Sequence, residues 1–498
     1  MSRSEDEAGI IKKEAAMKKQ AFNPFLPSYE YIPDGEPHVF GDRVYLYGSH
    51  DKFNGISFCL NDYVCWSAPL SDLGDWRFEG YIYHKNQDGR KYHGFLNSMF
   101  APDVCRGADG RYYLYYFIGY NSLISVAVCD EPAGHYEFLG FVKYADGQTV
   151  GSKGEPLQFD PGVFVDNDGR VYLYTGFGPD KASPFMIGKK PTRQGAMCFE
   201  LEEDMLTVKG DLTYIGVPAN SGSQGTDYQN GHAFFEASSM RKFNTKYYFV
   251  YSSFLGHELC YATSDSPKGP FRFGGTLVSN GDIGLGNHRD PKSASDFTGN
   301  THGSVIELNG EYYVFYHRQT NRHQFSRQAC CEHLIMREDG SFEQAERTSC
   351  GLNGEPLEGR GTYEARIACH LTAKNGDRFY TVVKGLKGKE PYFTQTGKDR
   401  EDRPDQYIAN VTDGTTIGFK YFDFQDLKAV SVRVKGTGSG TFKVLQAENG
   451  PEIGSIPVTP SKEYQDFGAA VSAQNGVTPL YFRYEGSGHV DINYFTLS

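Results

Sequence analysis

One hairpin plan recurs five times in the first two-thirds of this 498-residue chain. In the first copy, Pro33-Asp34-Gly35-Glu36-Pro37-His38-Val39-Phe40 runs through Gly41-Asp42 into Arg43-Val44-Tyr45-Leu46-Tyr47. An acidic turn, an apolar run, a tight turn and an aromatic run read as two strands folded back on each other. The second copy is Ala101-Pro102-Asp103-Val104 before Gly110-Arg111-Tyr112-Tyr113-Leu114, and the third is Phe159-Asp160-Pro161-Gly162-Val163-Phe164 before Gly169-Arg170-Val171-Tyr172. The fourth is Phe235-Glu236-Ala237 before Tyr247-Tyr248-Phe249-Val250, and the fifth Thr301-His302-Gly303-Ser304-Val305 before Gly310-Glu311-Tyr312-Tyr313. Five copies of one sheet unit predict an all-β chain and a five-bladed β-propeller. Equivalent strand ends converge on a propeller's axis, so Asp34, Asp103, Asp160, Glu236 and His302 are expected to meet in one funnel.

The repeats occupy residues 21–350. A turn-rich stretch at 351–362 reads as a linker. Residues 363–498, where strand-like runs alternate with Gly-rich turns, read as a β-sandwich of the jelly-roll type. Residues 1–20 read as an extension ahead of a start at Met17, with a short helix over Ser4 to Lys19 as the alternative. That stretch is charged and lacks the apolar run of a secretory leader. Aromatic residues, 35 Tyr and 36 Phe against 2 Trp, and 58 Gly suit many short strands joined by tight turns. A net charge of −12 argues against nucleic acid and anionic membrane as partners. Without an apolar run of about 18 residues, no membrane span is expected. The ten cysteines are scattered with no Cys-x-x-Cys pair, so reduced thiols are expected rather than a disulfide or zinc framework. Together these features predict a cytoplasmic protein, or a secreted one if a leader preceded it.

Three carboxylates occupy the strongest repeat positions. Glycoside hydrolysis needs two of them, a proton donor for the leaving oxygen and a base or nucleophile. A third can hold the donor's pKa up. Glu236, between Phe234-Phe235 and Ala237, has the apolar collar of a carboxyl kept protonated. Asp34, in a Gly/Pro turn, suits an ionised base holding a water, and Asp160 suits the modulator. An Asp before Gly or Pro also serves commonly as a turn former that bonds its own backbone; Asp42, Asp109, Asp166 and Asp168 fit that role. Asp103 fits either a capping role at the end of its blade or a place in the pocket wall. Glu36 competes with Asp34 as base.

At these residues the chain resembles glycoside hydrolase family 43, inverting five-bladed propeller enzymes that act on xylose- and arabinose-containing polymers. The resemblance spans about Asn23 to Met336. It rests on Asn23-Pro24-Phe25-Leu26-Pro27, Asp34 seven residues before Gly41-Asp42, Ala101-Pro102-Asp103, Asp160-Pro161, Glu236 and Thr301-His302-Gly303-Ser304-Val305. It implies Asp34 as general base, Asp160 as pKa modulator and Glu236 as general acid. It also implies that His302 contacts an axial metal ion, often calcium, or that ion's waters. Arg327 falls where the family has an arginine that touches sugar; Phe100 stands where the family often has Trp, and with Asp103 it completes the expected substrate contacts. Asp34-Gly35 departs from the usual Asp-Pro, but the spacing to Gly41-Asp42 keeps Asp34 rather than Glu36 in register. The tail, with Gln406-Tyr407-Ile408-Ala409-Asn410-Val411 and Gly488-His489-Val490-Asp491-Ile492, resembles a family 6 carbohydrate-binding module. It has no Trp to offer a sugar, so a module packed on the propeller is an alternative to a polysaccharide binder.

The reading is an exo-acting, inverting glycosidase releasing xylose from β-1,4-xylo-oligosaccharides, with α-L-arabinofuranosides as further substrates. An α-L-arabinofuranosidase acting on arabinoxylan or arabinan is the alternative within that class. A non-catalytic carbohydrate-binding propeller is the alternative outside it. A retaining fructosidase ranks below both, because its Asn-Asp-Pro and Glu-Cys signatures are missing from the matching blades.

Overall fold

The computed structural model describes residues 20–89, 98–119, 123–152, 154–182, 186, 189–375, 390–400 and 405–498. Of the N-terminal extension, all but Gln20 lies outside them. The described residues are almost entirely β, and their helical segments are single 3-10 turns.

Five antiparallel meanders follow one another. Blade I comprises Glu36–Phe40, Arg43–Tyr47, Tyr63–Pro69 and Arg77–Tyr83. Blade II comprises Met99–Arg106, Tyr112–Ile118, Ile124–Cys129 and Glu137–Phe141. Blade III comprises Gly162–Val165, Val171–Thr175, Met197–Leu201 and Val208–Tyr214. Blade IV comprises Phe234–Phe243, Lys246–Ser253, Glu258–Ser264 and Arg272–Ser279. Blade V has three strands, Ser304–Leu308, Glu311–Thr320 and His323–Leu334. The tight turns are local chemistry: Asn309 and Gly310 both take positive φ (55° and 85°) between paired Leu308 and Glu311. That is the conformation an Asn-Gly hairpin turn provides.

The blades close into a ring through five separate apolar cores, each shared by two neighbours. Tyr47, Tyr63 and Ile82 of blade I pack with Val104, Leu114 and Tyr116 of blade II. Tyr113, Tyr115 and Val126 pack with Val171, Leu173 and Phe199. Tyr172, Tyr174 and Cys198 pack with Met240, Phe249 and Cys260, and Val250, Leu259 and Tyr261 with Val305, Val314 and Cys330. The last core joins Phe315 and Cys331 of blade V to Val44, Leu46 and Trp66 of blade I, together with Leu26. The central strands of the blades are thus buried on both faces, which is why they read as near-continuous Tyr, Phe and Val rather than as an alternating pattern. The first strand of each blade lies against the first strands of its neighbours and lines the axis.

Two further sheets follow. One runs Leu357–Glu358, Thr416–Phe424, Gly476–Ser487, Ser439–Leu445, Glu452–Val458, with His370–Thr372 beside Thr416–Phe424. The other runs Tyr392–Gln395, Gln406–Val411, Val490–Leu497, Ala429–Gly436, Ser461–Ala470, with Gly361–Glu364 beside Val490–Leu497. Phe419, Phe422, Val432, Phe482 and Phe495 form the core between them. Residues 351–362, read from sequence as a linker, carry two of these strands. Gly-rich composition signals turns, but it does not register the backbone pairing of Leu357 with Phe422 and of Gly361 with Leu497.

The sandwich docks on the propeller through three cations, two of them, Arg318 and Lys420, buried. The Arg318 guanidinium lies 3.9 Å from the Phe393 ring centroid, Arg322 lies 3.9 Å from that of Tyr392, and Lys420 pairs with Asp282 at 3.0 Å. All ten cysteines are unpaired, and eight are buried. Among the described residues no helix is long and apolar enough to cross a membrane.

Candidate active site

A cavity of about 580 Å³ opens on the propeller axis, lined by Asp34, Asp160, Glu236, His302 and Arg327 and by phenylalanines from every blade, including Phe58, Phe100, Phe159, Phe177, Phe235 and Phe325. The local backbone aims the acids. Asp34 and Asp160 take left-handed φ of 58° and 46° immediately before the first strands of their blades, and Ala237, next to Glu236, has φ of 68°. The pairing of Phe234–Phe243 with Lys246–Ser253 slips on both sides of Glu236. Non-glycine residues held at positive φ cost of order 1–3 kcal/mol each and gather at functional sites, and a bulge re-aims a side chain out of its strand's alternation.

Each carboxyl has a different environment. Asp34 Oδ1 accepts a hydrogen bond from Arg327 Nη1 at 2.9 Å, and the Asp34 backbone N–H donates to His317 Nδ1 at 3.3 Å. Burial pushes Asp34 up, but Arg327, then His302 and His317, outweigh it and hold the carboxyl below its ordinary value. Arg327 is itself fixed by Asp51, with Nε and Nη2 donating to that carboxylate at 2.9 and 3.0 Å. Burial lowers His302 to about 4 and His317 to about 3. At neutral pH both are therefore uncharged, which leaves Arg327 as the cation that keeps Asp34 ionised. Glu236 has no hydrogen bond from a described residue and faces the cavity. Burial, then the charge of Asp34, pushes it up to about 8. Asp160 accepts from the Ala237 N–H at 3.2 Å and lies 3.5 Å from His302 Nδ1. Burial, then the charges of Glu236 and Asp34, raise it well above a normal Asp.

Asp103 does not line the cavity. Its carboxylate is fully buried within the axis, accepting from His38 Nε2 at 2.7 Å and from the Val104 and Val163 N–H groups at 2.8 Å each. The expected substrate contact there gives way to the capping role, and Phe100 takes the rim position of blade II. The cause is a register slip between Phe100 and Asp103, which carries the acid one level down the axis. Glu36 lies at that lower level too, with Oε2 accepting from Ser239 Oγ at 2.9 Å and Arg241 Nη2 at 2.7 Å.

The axis also decides how an ion is accommodated. Among the described residues Glu36 Oε1 has no hydrogen-bond partner, and this buried atom lies 3.9 Å from His302 Nε2. The other carboxylate oxygens at that level are engaged. These two atoms fit a largely hydrated cation touched at two points, not a closed oxygen cage of six to eight ligands.

Sequence reasoning did not assign Asp51, His317 or the full aromatic lining. Phe159 and Phe235 stand immediately before the acids of blades III and IV, and Phe100 is the second residue of the matching strand of blade II. The lining was therefore legible as a repeat of its own. Asp51 belongs to no repeat.

Comparison with known proteins agrees with this geometry. The family described as Glycosyl hydrolases family 43 matches residues 23–342, and that described as Carbohydrate binding module (family 6) matches residues 389–498. A xylosidase/arabinosidase of Thermoclostridium stercorarium is 49% identical over 484 residues, covering 97% of this chain and 99% of that protein. An arabinoxylan arabinofuranohydrolase of Paenibacillus polymyxa is 26% identical over 92% of this chain and 70% of that one. The solved family 43 arabinoxylan arabinofuranohydrolase of Bacillus subtilis, in complex with cellotetraose, superposes with a TM-score of 0.50 at 22% identity. It covers 96% of this chain and 97% of that one, a likeness of fold. With the match running through all five blades and the acids drawn together on their axis, this chain belongs to glycosyl hydrolase family 43 and is a glycoside hydrolase that carries a family 6 carbohydrate binding module.

Proposed function

We propose that the enzyme is an inverting exo-glycosidase that releases xylose from the non-reducing ends of β-1,4-xylo-oligosaccharides and also cleaves α-L-arabinofuranosides. The observation that carries the proposal is the split environment of the cavity acids, Asp34 held low by the Arg327 guanidinium it bonds and Glu236 pushed up to about 8 with no hydrogen-bond partner among the described residues. Asp34 takes a proton from a water whose oxygen attacks the anomeric carbon. The glycosidic C–O bond breaks, and its electron pair stays with the leaving oxygen, which accepts the Glu236 proton. This single displacement inverts the anomeric centre. Asp160, bonded to the Ala237 N–H, orients the Glu236 segment, and its carboxyl beside Glu236 disfavours loss of the pair's proton. Arg327 has one Nη1 N–H left for a sugar hydroxyl after its bonds to Asp34, Asp51 and Cys59.

Beneath the cavity Ser239 bonds Ser304 and Arg241 bonds Glu36 on the axis, so substrate enters and product leaves by the same mouth. Xyloside and arabinofuranoside turnover together are supported by the 49% identical relative, whose name carries both activities. A calcium ion held between Glu36 and His302 would offset the crowded Glu36 and Asp103 charges and fix the His302 ring. The ten unpaired thiols support a reducing compartment, and with it short oligosaccharides as substrate. The deciding experiment is initial rates on p-nitrophenyl β-D-xylopyranoside and p-nitrophenyl α-L-arabinofuranoside, with Glu236→Ala as control. Turnover of both that vanishes in the variant is expected. Undiminished turnover in Glu236→Ala refutes the assigned acid, and arabinofuranoside turnover alone refutes the xylosidase.

A further inference from the structure

Among the described residues, three groups bring metal-ligating atoms from three side chains within 4.8 Å of one another. Glu36, His38 and Asp103 belong to the axis already described. His232, Glu258 and Cys260 are closed on themselves, with His232 Nδ1 and Cys260 Sγ on the same Glu258 oxygen at 2.7 and 3.3 Å. The third group, His288, His370 and Glu448, differs because it includes a buried imidazole nitrogen, His370 Nδ1, with no hydrogen-bond partner among the described residues.

Its members come from separate parts of the chain. His288 lies in the propeller segment between blades IV and V, His370 on the sandwich strand His370–Thr372, and Glu448 in the turn between Ser439–Leu445 and Glu452–Val458. His288 Nδ1 is 2.6 Å from the Ser293 carbonyl, which can only accept, so Nδ1 carries the proton and Nε2 keeps its lone pair. That Nε2 lies 3.5 Å from Glu448 Oε2. His370 Nε2 bonds Thr372 Oγ1 at 3.2 Å, while its Nδ1 is buried with no partner among the described residues in a residue 1% exposed. The two rings lie 5.7 Å apart between centroids at 69°. The carbonyl fixes the His288 tautomer as in ligating imidazoles; a ligating Nδ1 at His370 requires its Nε2–H to donate to Thr372 Oγ1, which a hydroxyl can accept. Ligand atoms about 3.4 Å apart follow from tetrahedral zinc with bonds near 2.05 Å.

We propose that His288, His370 and Glu448 bind a divalent transition-metal ion of the zinc class, which staples the propeller to the sandwich. A simple His288–Glu448 ion pair leaves the buried His370 nitrogen unsatisfied; an ion satisfies all three side chains. Water on the exposed side of Glu448, whose side chain is 25% accessible, supplies the fourth ligand. Two imidazoles and one carboxylate select zinc, cobalt or nickel over calcium, whereas the axis offers one carboxylate oxygen and one imidazole to a hydrated ion.

The test uses the full chain without a polyhistidine tag, stripped with chelator and titrated with Co²⁺, then Zn²⁺. The expected result is a visible Co²⁺ absorption band that Zn²⁺ displaces, and a rise in Tm with Zn²⁺. Glu448→Gln and His288→Gln should each weaken binding at least tenfold and abolish the Tm rise, with aryl xyloside turnover unchanged because neither residue lines the cavity. Absence of a Co²⁺ band overturns the proposal. So does a band of unchanged affinity in both variants, which places the metal elsewhere.

Discussion

Replacing Arg327 with Gln tests the central electrostatic claim, that one guanidinium keeps Asp34 ionised. The pair is buried, with side chains 2% and 6% exposed and a 2.9 Å N···O contact. Unit charges about 4 Å apart interact by about 4 kcal/mol at an effective dielectric of about 20. At 1.36 kcal/mol per pKa unit that is about three units, and water entering the vacated space reduces it to about two. The neutral His302 and His317 cannot replace the lost charge. Burial, now unopposed, carries Asp34 above the usual carboxylate value near 3.9. Arg327 also lowers Glu236, so its removal raises the general acid as well. Both limbs of the pH profile should therefore move to higher pH, the acid limb by about two units.

The assay is kcat/KM on p-nitrophenyl β-D-xylopyranoside from pH 4 to 10 for wild type, Arg327→Gln and Arg327→Lys. The lysine variant retains the charge but loses the bidentate grip on Asp51, so its acid limb should shift less. Breaking a buried pair typically costs about 3–5 kcal/mol of stability; circular dichroism at the assay temperature establishes that each variant is folded. A folded Arg327→Gln enzyme with both limbs where wild type has them would falsify the argument. It would mean that Asp34 is ionised by other means or is not the base.

Glu236→Gln should lower turnover by about 10²–10⁴-fold, the usual worth of a positioned general acid. Its stability should move the other way with pH. A folded-state pKa of about 8 means the folded chain binds more protons than the unfolded one between about pH 4.5 and 8, so wild type loses stability as pH rises through that window. The Gln variant lacks that loss, so its Tm should exceed wild type at pH 8.5 and converge with it near pH 4.5; a constant difference refutes the raised pKa. Treatment with EDTA should reduce activity and added calcium should restore it if Glu36 and His302 hold an ion, and unaffected activity excludes an essential one. Asp399 of the sandwich accepts from the Phe53 N–H at 2.6 Å and from Asn61 Nδ2 at 3.1 Å, bracing the segment that carries Phe58 and Cys59 into the cavity. Asp399→Ala should raise KM several-fold with a smaller change in kcat, and an unchanged KM removes the sandwich from the binding site.

The blades were legible because everything that makes them is local: short Tyr- and Val-rich runs, turns such as Asn309-Gly310, and an acid or histidine at one repeat position. Four of the five repeat positions do converge on the cavity, and Asp103 fails because a slip within its own strand is invisible in spacing. Asp51 and His317 were not legible because their partners are distant. The Asp51–Arg327 contacts span 276 residues and the Asp34–His317 contact 283. Only closure of the ring brings blade V beside blade I. The residues read as a linker were misread for the same kind of reason, since Leu357 and Gly361 become strands only by pairing with Phe422 and Leu497.

Charge is layered along the axis in a way no single blade specifies. At the upper level Arg327, fixed by Asp51, holds Asp34 low, while burial and the neighbouring acids push Glu236 and Asp160 up. At the lower level Arg241 engages one oxygen of Glu36 and His38 engages Asp103, leaving Glu36 Oε1 bare beneath His302. His302 touches both levels, 3.5 Å from Asp160 and 3.9 Å from Glu36. A change in charge at Glu36 is therefore felt through one neutral ring at the carboxyls above. Glu36→Gln, which removes a carboxyl pushed up to about 8 by burial and Asp103, should leave the Asp34 acid limb in place and shift the alkaline limb. An alkaline limb that does not move shows the two levels to be electrostatically separate.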